Sequence, residues 1–156
     1  MAAMKKSKRL EPVAKLAETR QKKAARLLGE CRGLLLKHEE RLIELIGYRK
    51  QYTENFYEVG HAGTSAQKIS DYKAFLARLN DGIEQQKQRI KLVRQELEQK
   101  KQDWIAARGK FQAMSKVVDN HIHRENYHEA RKEQNEMDEQ AQQLVSAKKR
   151  ESSADQ

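Results

Sequence analysis

Residues 69–118 read ISDYKAFLARLNDGIEQQKQRIKLVRQELEQKKQDWIAARGKFQAMSKVV. In them an apolar side chain returns at every seventh position: Ile69, Leu76, Ile83, Ile90, Leu97, Trp104, Phe111 and Val118. Such a repeat lays all of them along one stripe of a helix, as the a positions of a coiled coil. The companion d positions, Tyr72, Leu79, Gln86, Val93, Lys100, Ala107 and Met114, are less pure but sufficient for a seam. Sustained 3.5-residue periodicity predicts left-handed supercoiling.

The preceding segment carries the same interval through Leu28, Leu35, Leu42 and Phe56. Ala17, Ala24, Cys31, Leu45, Tyr52 and Val59 are its companions, and His38 and Arg49 interrupt it. Between the two segments lies the only concentrated turn signal, Gly60-His61-Ala62-Gly63-Thr64-Ser65. Its two glycines supply unusual backbone angles, and its hydroxyls can cap a following helix. A bend centred near residue 62 pairs antiparallel positions whose numbers sum to about 124 or 125. Phe56 then faces Ile69, Tyr52 faces Tyr72, Leu42 faces Ile83, Leu35 faces Ile90, Cys31 faces Val93 and Leu28 faces Leu97. Farther out, Trp104 meets the small Ala17 and Ala24, and Phe111 meets Ala14.

The expected fold is therefore all-α: two long helices forming an antiparallel coiled-coil hairpin with unequal arms. Pro12 suits a first helical turn, where its missing N–H has no partner to lose. The boundaries that follow are a basic flexible tail over 1–11, a first helix over 12–59, a turn over 60–66, a second helix over 67–147 and a flexible tail over 148–156. In this register residue 12 lies opposite residue 112. About 30 residues of the second helix then overhang, on the order of 45 Å. Val117, Val118, Ile122, Tyr127, Met137 and Leu144 fall there, on a helix that is marginal without a partner.

Composition agrees with long helices rather than a thick core, because 35% of the 156 residues are charged and only 37% are hydrophobic. The net charge of +9 is concentrated early, at Lys5, Lys6, Lys8, Arg9, Lys15, Arg20, Lys22 and Lys23. An acidic protein, nucleic acid or an anionic membrane surface could each answer that cluster, and so could plain solvation. The single Cys31 excludes an intrachain disulfide and suits a reducing compartment. With no secretory leader or membrane-spanning run, a cytoplasmic protein is expected.

Enzyme chemistry finds no foothold in these residues. Phosphate-loop and nucleophile-elbow motifs are absent, Cys31 lies on the seam away from any base, and a two-helix hairpin offers no deep pocket. His121, His123 and His128 lack the three- or four-residue spacing that puts ligands on one helical face. No catalytic residue, metal or cofactor is expected. Nucleic acid is not expected either, since the aromatics are not interleaved with the basic cluster.

Six of the nine aromatics fall between Tyr48 and Phe75. Tyr48 and Phe75 occupy g positions, which flank the seam on one side and normally carry charge. Edged by Leu45, Tyr52 and Leu79, they either form an exposed docking patch or broaden the core beside the bend.

Ala24-Ala25-Arg26-Leu27-Leu28-Gly29-Glu30, Tyr48 with Tyr52, Tyr72 with Phe75, Trp104, and Met137-Asp138-Glu139 with Ala141 keep an order and spacing that resembles the flagellar export protein family FliJ, over about residues 10 to 145. The resemblance implies a component of the flagellar type III export apparatus, similar to the central stalk of rotary ATP synthases. It implies binding to the export ATPase hexamer FliI, to the export gate FlhA and to chaperones such as FlgN and FliT. Membrane association would then be peripheral, through the apparatus at the inner membrane's cytoplasmic face.

Gate docking would fall on Leu45, Tyr48, Tyr52, Phe75 and Leu79, with Arg41, Gly82 and Gln86 at positions where the family often has Gln, Ala and His. Leu16, Ala24, Arg26, Met137, Asp138 and Glu139 would face the ATPase. The stalk of a virulence injectisome, or a basic coiled coil binding nucleic acid or anionic lipid, are the alternative readings.

Overall fold

A computed structural model describes residues 4–61 and 63–155. Two helices account for nearly all of them, α1 (Lys6–His61, 56 residues) and α2 (Ala66–Ala154, 89 residues). They pack as an all-α antiparallel hairpin, and no strand occurs among the described residues. Gly63, at φ 89°, occupies the left-handed region that glycine enters without strain, and its amide donates to the Gly60 carbonyl at 3.2 Å. The Ser65 hydroxyl accepts from the Lys68 amide at 3.2 Å, capping α2. Ala62 of the expected turn, like the terminal residues 1–3 and 156 of the expected tails, lies outside the described residues.

The chain divides into two compact units, Arg20–Ala107 and the residues up to Thr19 with those from Arg108 onward. In the first unit the deepest side chains are Leu28, Cys31, Ile83, Gln86, Ile90 and Val93. Cys31 Sγ lies 3.9 Å from the Val93 carbonyl, Gln86 bonds to His38, and Tyr52 stacks on Tyr72. Each of these pairs sums to 124, the expected register.

His38 is accommodated by a polar layer. The Gln86 amide nitrogen donates to the His38 carbonyl at 2.9 Å and lies 3.0 Å from His38 Nδ1, so a buried amide is satisfied by backbone and ring together. Arg49 carries its guanidinium out of the seam to Asn80 Oδ1 at 3.0 Å. Burial drives the Cys31 thiol pKa upward, with Glu96 adding to the effect and Lys100 opposing it.

Two seam assignments next to the bend do not hold. Ile69 is 37% exposed and Val59 is 55% exposed. Phe56 stacks on Tyr72 instead, with ring centroids 3.7 Å apart. Beyond that stack the seam has no further layer of the hairpin to cover it on the bend side, so the repeat's last positions stay open to solvent.

In the second unit the sequence boundaries also shift. α1 begins at Lys6 and carries Pro12 inside it, although an interior proline removes one hydrogen bond and costs roughly 3 kcal/mol of helix stability. Its first turn holds no acidic residue, and α2 supplies one. Glu125 accepts from the Ser7 amide at 3.2 Å and from the Ser7 hydroxyl at 2.6 Å, while Lys5 pairs with Glu129 at 3.5 Å. A carboxylate on free N–H groups at a helix start satisfies them and complements the dipole.

The half-buried stripe of α2 accordingly continues through Phe111, Met114, Val118 and His121 to Glu125. Val118 therefore belongs to the seam rather than to an overhang, and among the described residues the last side-chain hydrogen bond from α2 to α1 is that of Glu125 to Ser7. From Asn126 onward every described residue is exposed. α2 remains helical to Ala154, seven residues past the expected end.

The Glu125 carboxyl is held below its ordinary pKa of 4.5, first by the Ser7 hydroxyl, then by the Ser7 amide, with Lys5 and His121 adding to the effect against desolvation. A lowered folded-state pKa means that the contact stabilises above the unfolded carboxylate's pKa and is lost as pH falls through the folded one. Glu125→Gln is expected to lower hydrogen-exchange protection, relative to the intrinsic rate at the same pH, at the amides of Arg9 to Glu11, as acidification of the wild type should. Exchange around Ile83 should be unchanged by the substitution.

Gly29, Gly33 and Gly47 lie inside α1 with nothing within 4 Å of where a Cβ would stand. Alanine at any of them should raise stability by about 0.8–1 kcal/mol, read from denaturant unfolding followed by circular dichroism.

Candidate interaction site

The most distinctive surface of the unit Arg20–Ala107 is built from aromatic rings that alternate between the helices. From the bend outward, Phe56 stacks on Tyr72 at 3.7 Å and Tyr72 on Tyr52 at 5.3 Å. Tyr52 meets Phe75 at 4.5 Å, and Phe75 meets Tyr48 edge to face at 6.3 Å and 73°. Alternation follows from antiparallel packing, because d positions at 52 and 72 face each other while g positions at 48 and 75 flank them on one side. Edge-to-face and offset contacts of this kind add about 0.5–1.5 kcal/mol per pair beyond burial.

The ladder runs from interior to surface. Tyr52, Phe75, Leu45 and Leu79 are half-buried, whereas Tyr48 is 52% exposed at its outer end. Apolar faces are therefore anchored by packing and presented to solvent together. Arg41 lies exposed nearby in sequence and pairs with Glu44 at 3.3 Å. Gly82 is half-buried, with open space where a side chain would stand. Gln86 does not belong to this surface: only 3% exposed and committed to His38, it is a seam residue.

The residues expected to face an ATPase are dispersed. Leu16 is 50% exposed and Met137 is 62% exposed, both in the unit with the chain ends. Asp138 accepts from Gln134 at 3.2 Å, and Glu139 is exposed beside it. Met137 to Glu139 lie past the last residues of α2 that bond to α1. In the other unit Ala24 is half-buried at a d position, and Arg26 pairs with Glu30 at 2.9 Å. Sequence reading missed Ser7 and Glu125; the available signal was that residue 125 continues the a series one heptad past Val118.

The family model described as Flagellar FliJ protein matches residues 5–150. This chain belongs to the FliJ family. The flagellar FliJ protein of Salmonella typhi is 30% identical over 139 residues, covering 89% of this chain and 95% of that one. The flagellar FliJ protein of Escherichia coli (strain K12) is 30% identical over 133 residues, covering 85% and 90%. No solved structure matches the chain significantly. Membership in the FliJ family makes the chain a flagellar export component. No helix among the described residues is long and apolar enough to cross a membrane.

Proposed function

We propose that this FliJ-family chain is a non-catalytic stalk that couples the export ATPase FliI to the export gate FlhA and escorts chaperones such as FlgN and FliT. The gate docks on the aromatic ladder, centred on Tyr48 and Phe75 with Leu45, Tyr52 and Leu79 around them. The ATPase ring takes the unit that carries the chain ends, where Leu16, Met137, Asp138 and Glu139 are available and the basic residues from Lys5 to Lys15 meet an acidic lining.

One observation carries this reading. Tyr48 and Phe75, which come from different helices and occupy positions that a coiled coil usually fills with charge, meet in a half-exposed aromatic pair. Side chains of that kind, rigid and only partly covered, are what protein interfaces use as anchors. Any bias that the stalk places on ring or gate requires unequal affinity for their conformational states.

The test is to add the purified chain to cognate FliI and measure ring assembly and hydrolysis, and in parallel to titrate it against the cytoplasmic part of FlhA. Enhanced assembly with saturable gate binding is the expected result. A chain that leaves the ATPase unchanged and does not bind the gate cannot be this stalk.

A further inference from the structure

A second surface of the unit Arg20–Ala107 remains without a role. Continuing the heptad lettering, Leu36 and Ile43 occupy b positions of α1 and Ile46 an e position. These lie on the side of the seam opposite Tyr48 and Phe75. All three are left out of the hairpin core, at 57%, 70% and 38% exposed. A helix with an a/d seam against one partner and an apolar b/e stripe beside it has the pattern of a helix that packs on two neighbours, yet α2 covers only the first.

The stripe borders a groove of about 360 Å³ between the helices, lined by Glu39, Leu42, Ile43, Lys87, Ile90 and Arg94. Its floor is apolar and its α2 rim is basic. Glu84 and Glu39 pair with Lys87 and Arg94 at 3.4 and 3.2 Å. Lys50 and Lys91, at b positions on the same side, have no ion pair among the described residues. The rim thus keeps a positive excess.

We infer that Leu36, Ile43 and Ile46 form a second seam that receives an acidic amphipathic helix from another protein, making a local three-helix layer over Leu42 and Ile90. A helix laid along the groove would place apolar residues at three- and four-residue spacing on the stripe and carboxylates beside Lys50 and Lys91. A second copy of this chain is the wrong occupant. It would bring the same cations to the same rim, on a molecule whose net charge is +9.

The probe is a synthetic amphipathic helix of about 20 residues with leucines at that spacing and glutamates elsewhere, compared with the same helix carrying lysines. The full chain should bind the acidic helix, more weakly as salt rises, and not the lysine version. Replacing Leu36 and Ile43 by serine, both exposed and separable from folding by circular dichroism, should cost about tenfold or more in affinity. Tyr48→Ala with Phe75→Ala should cost nothing, which keeps this result independent of the gate-docking proposal. Failure to bind, equal binding of the lysine helix, or serine variants that bind as well as wild type would each overturn the inference. Self-association in sedimentation velocity that the serine variants abolish would overturn it too, by making a second copy the occupant.

Discussion

Ile83→Ala is expected to destabilise the unit Arg20–Ala107 by about 2–5 kcal/mol. Thermal unfolding of a chain this size should move down by roughly 2–4 °C for each kcal/mol lost. Ile83 is 1% exposed, the most deeply buried large side chain among the described residues, at an a position of the seam. Removing three carbons there forfeits their transfer free energy and leaves a space that two stiff helices collapse into only partly. Sliding one helix to refill it is opposed by the His38–Gln86 layer one step away, whose hydrogen bonds exist in a single register. Ile43→Ala, at a 70% exposed position, supplies the control and should change stability by no more than about 0.5 kcal/mol. Equal effects at both positions, measured by denaturant unfolding at 222 nm, would mean that the seam is not where the heptads put it.

Much of this architecture is written along the chain in one dimension. A seven-residue repeat is local information, so the series from Leu76 to Val118 could be followed without knowing any contact. A single bend then converted two such series into pairs. Cys31 with Val93, and Tyr52 with Tyr72, meet as that arithmetic requires. The same lettering placed Tyr48 and Phe75 side by side, and their rings are in contact. Gln86 shows the lettering correcting the family resemblance, because a d position points a side chain into the seam whatever surface its neighbours serve.

What could not be read was set by contacts distant in sequence or by competition at the ends. Pro12 looks like a helix start because its own loss of a donor is local, whereas the compensating carboxylate of Glu125 is 118 positions from Ser7. A glutamate at an a position ordinarily argues against a seam, and only the nearby helix terminus makes it favourable. At the bend the opposite error arises: Ile69 and Val59 obey the repeat, but both are exposed, because the pairing of layers ends with the stack of Phe56 on Tyr72. The residues Met137 to Glu139 show a third limit. Among the described residues they are exposed and make no hydrogen bond or ion pair to α1, so no contact within the fold singles them out.

Tyr48→Ala combined with Phe75→Ala should reduce affinity for FlhA by about 30-fold to 1,000-fold, the span of a loss of roughly 2–4 kcal/mol at paired aromatic anchors. Helicity should stay near that of the wild type, because Tyr48 is 52% exposed and the ladder remains anchored by Phe56, Tyr72 and Tyr52. Tyr52→Ala provides the contrast that gives the experiment its force. Tyr52 touches both Tyr72 and Phe75, so its loss should lower thermal stability as well as binding. The binding loss of the double variant should come mainly through faster dissociation, as expected when contacts at the centre of an interface are removed. Calorimetric titration against the gate, with thermal unfolding of each variant, separates the cases. If Tyr48→Ala with Phe75→Ala binds as the wild type does, these rings are cover for the bend; if it loses helicity in step with affinity, they are core.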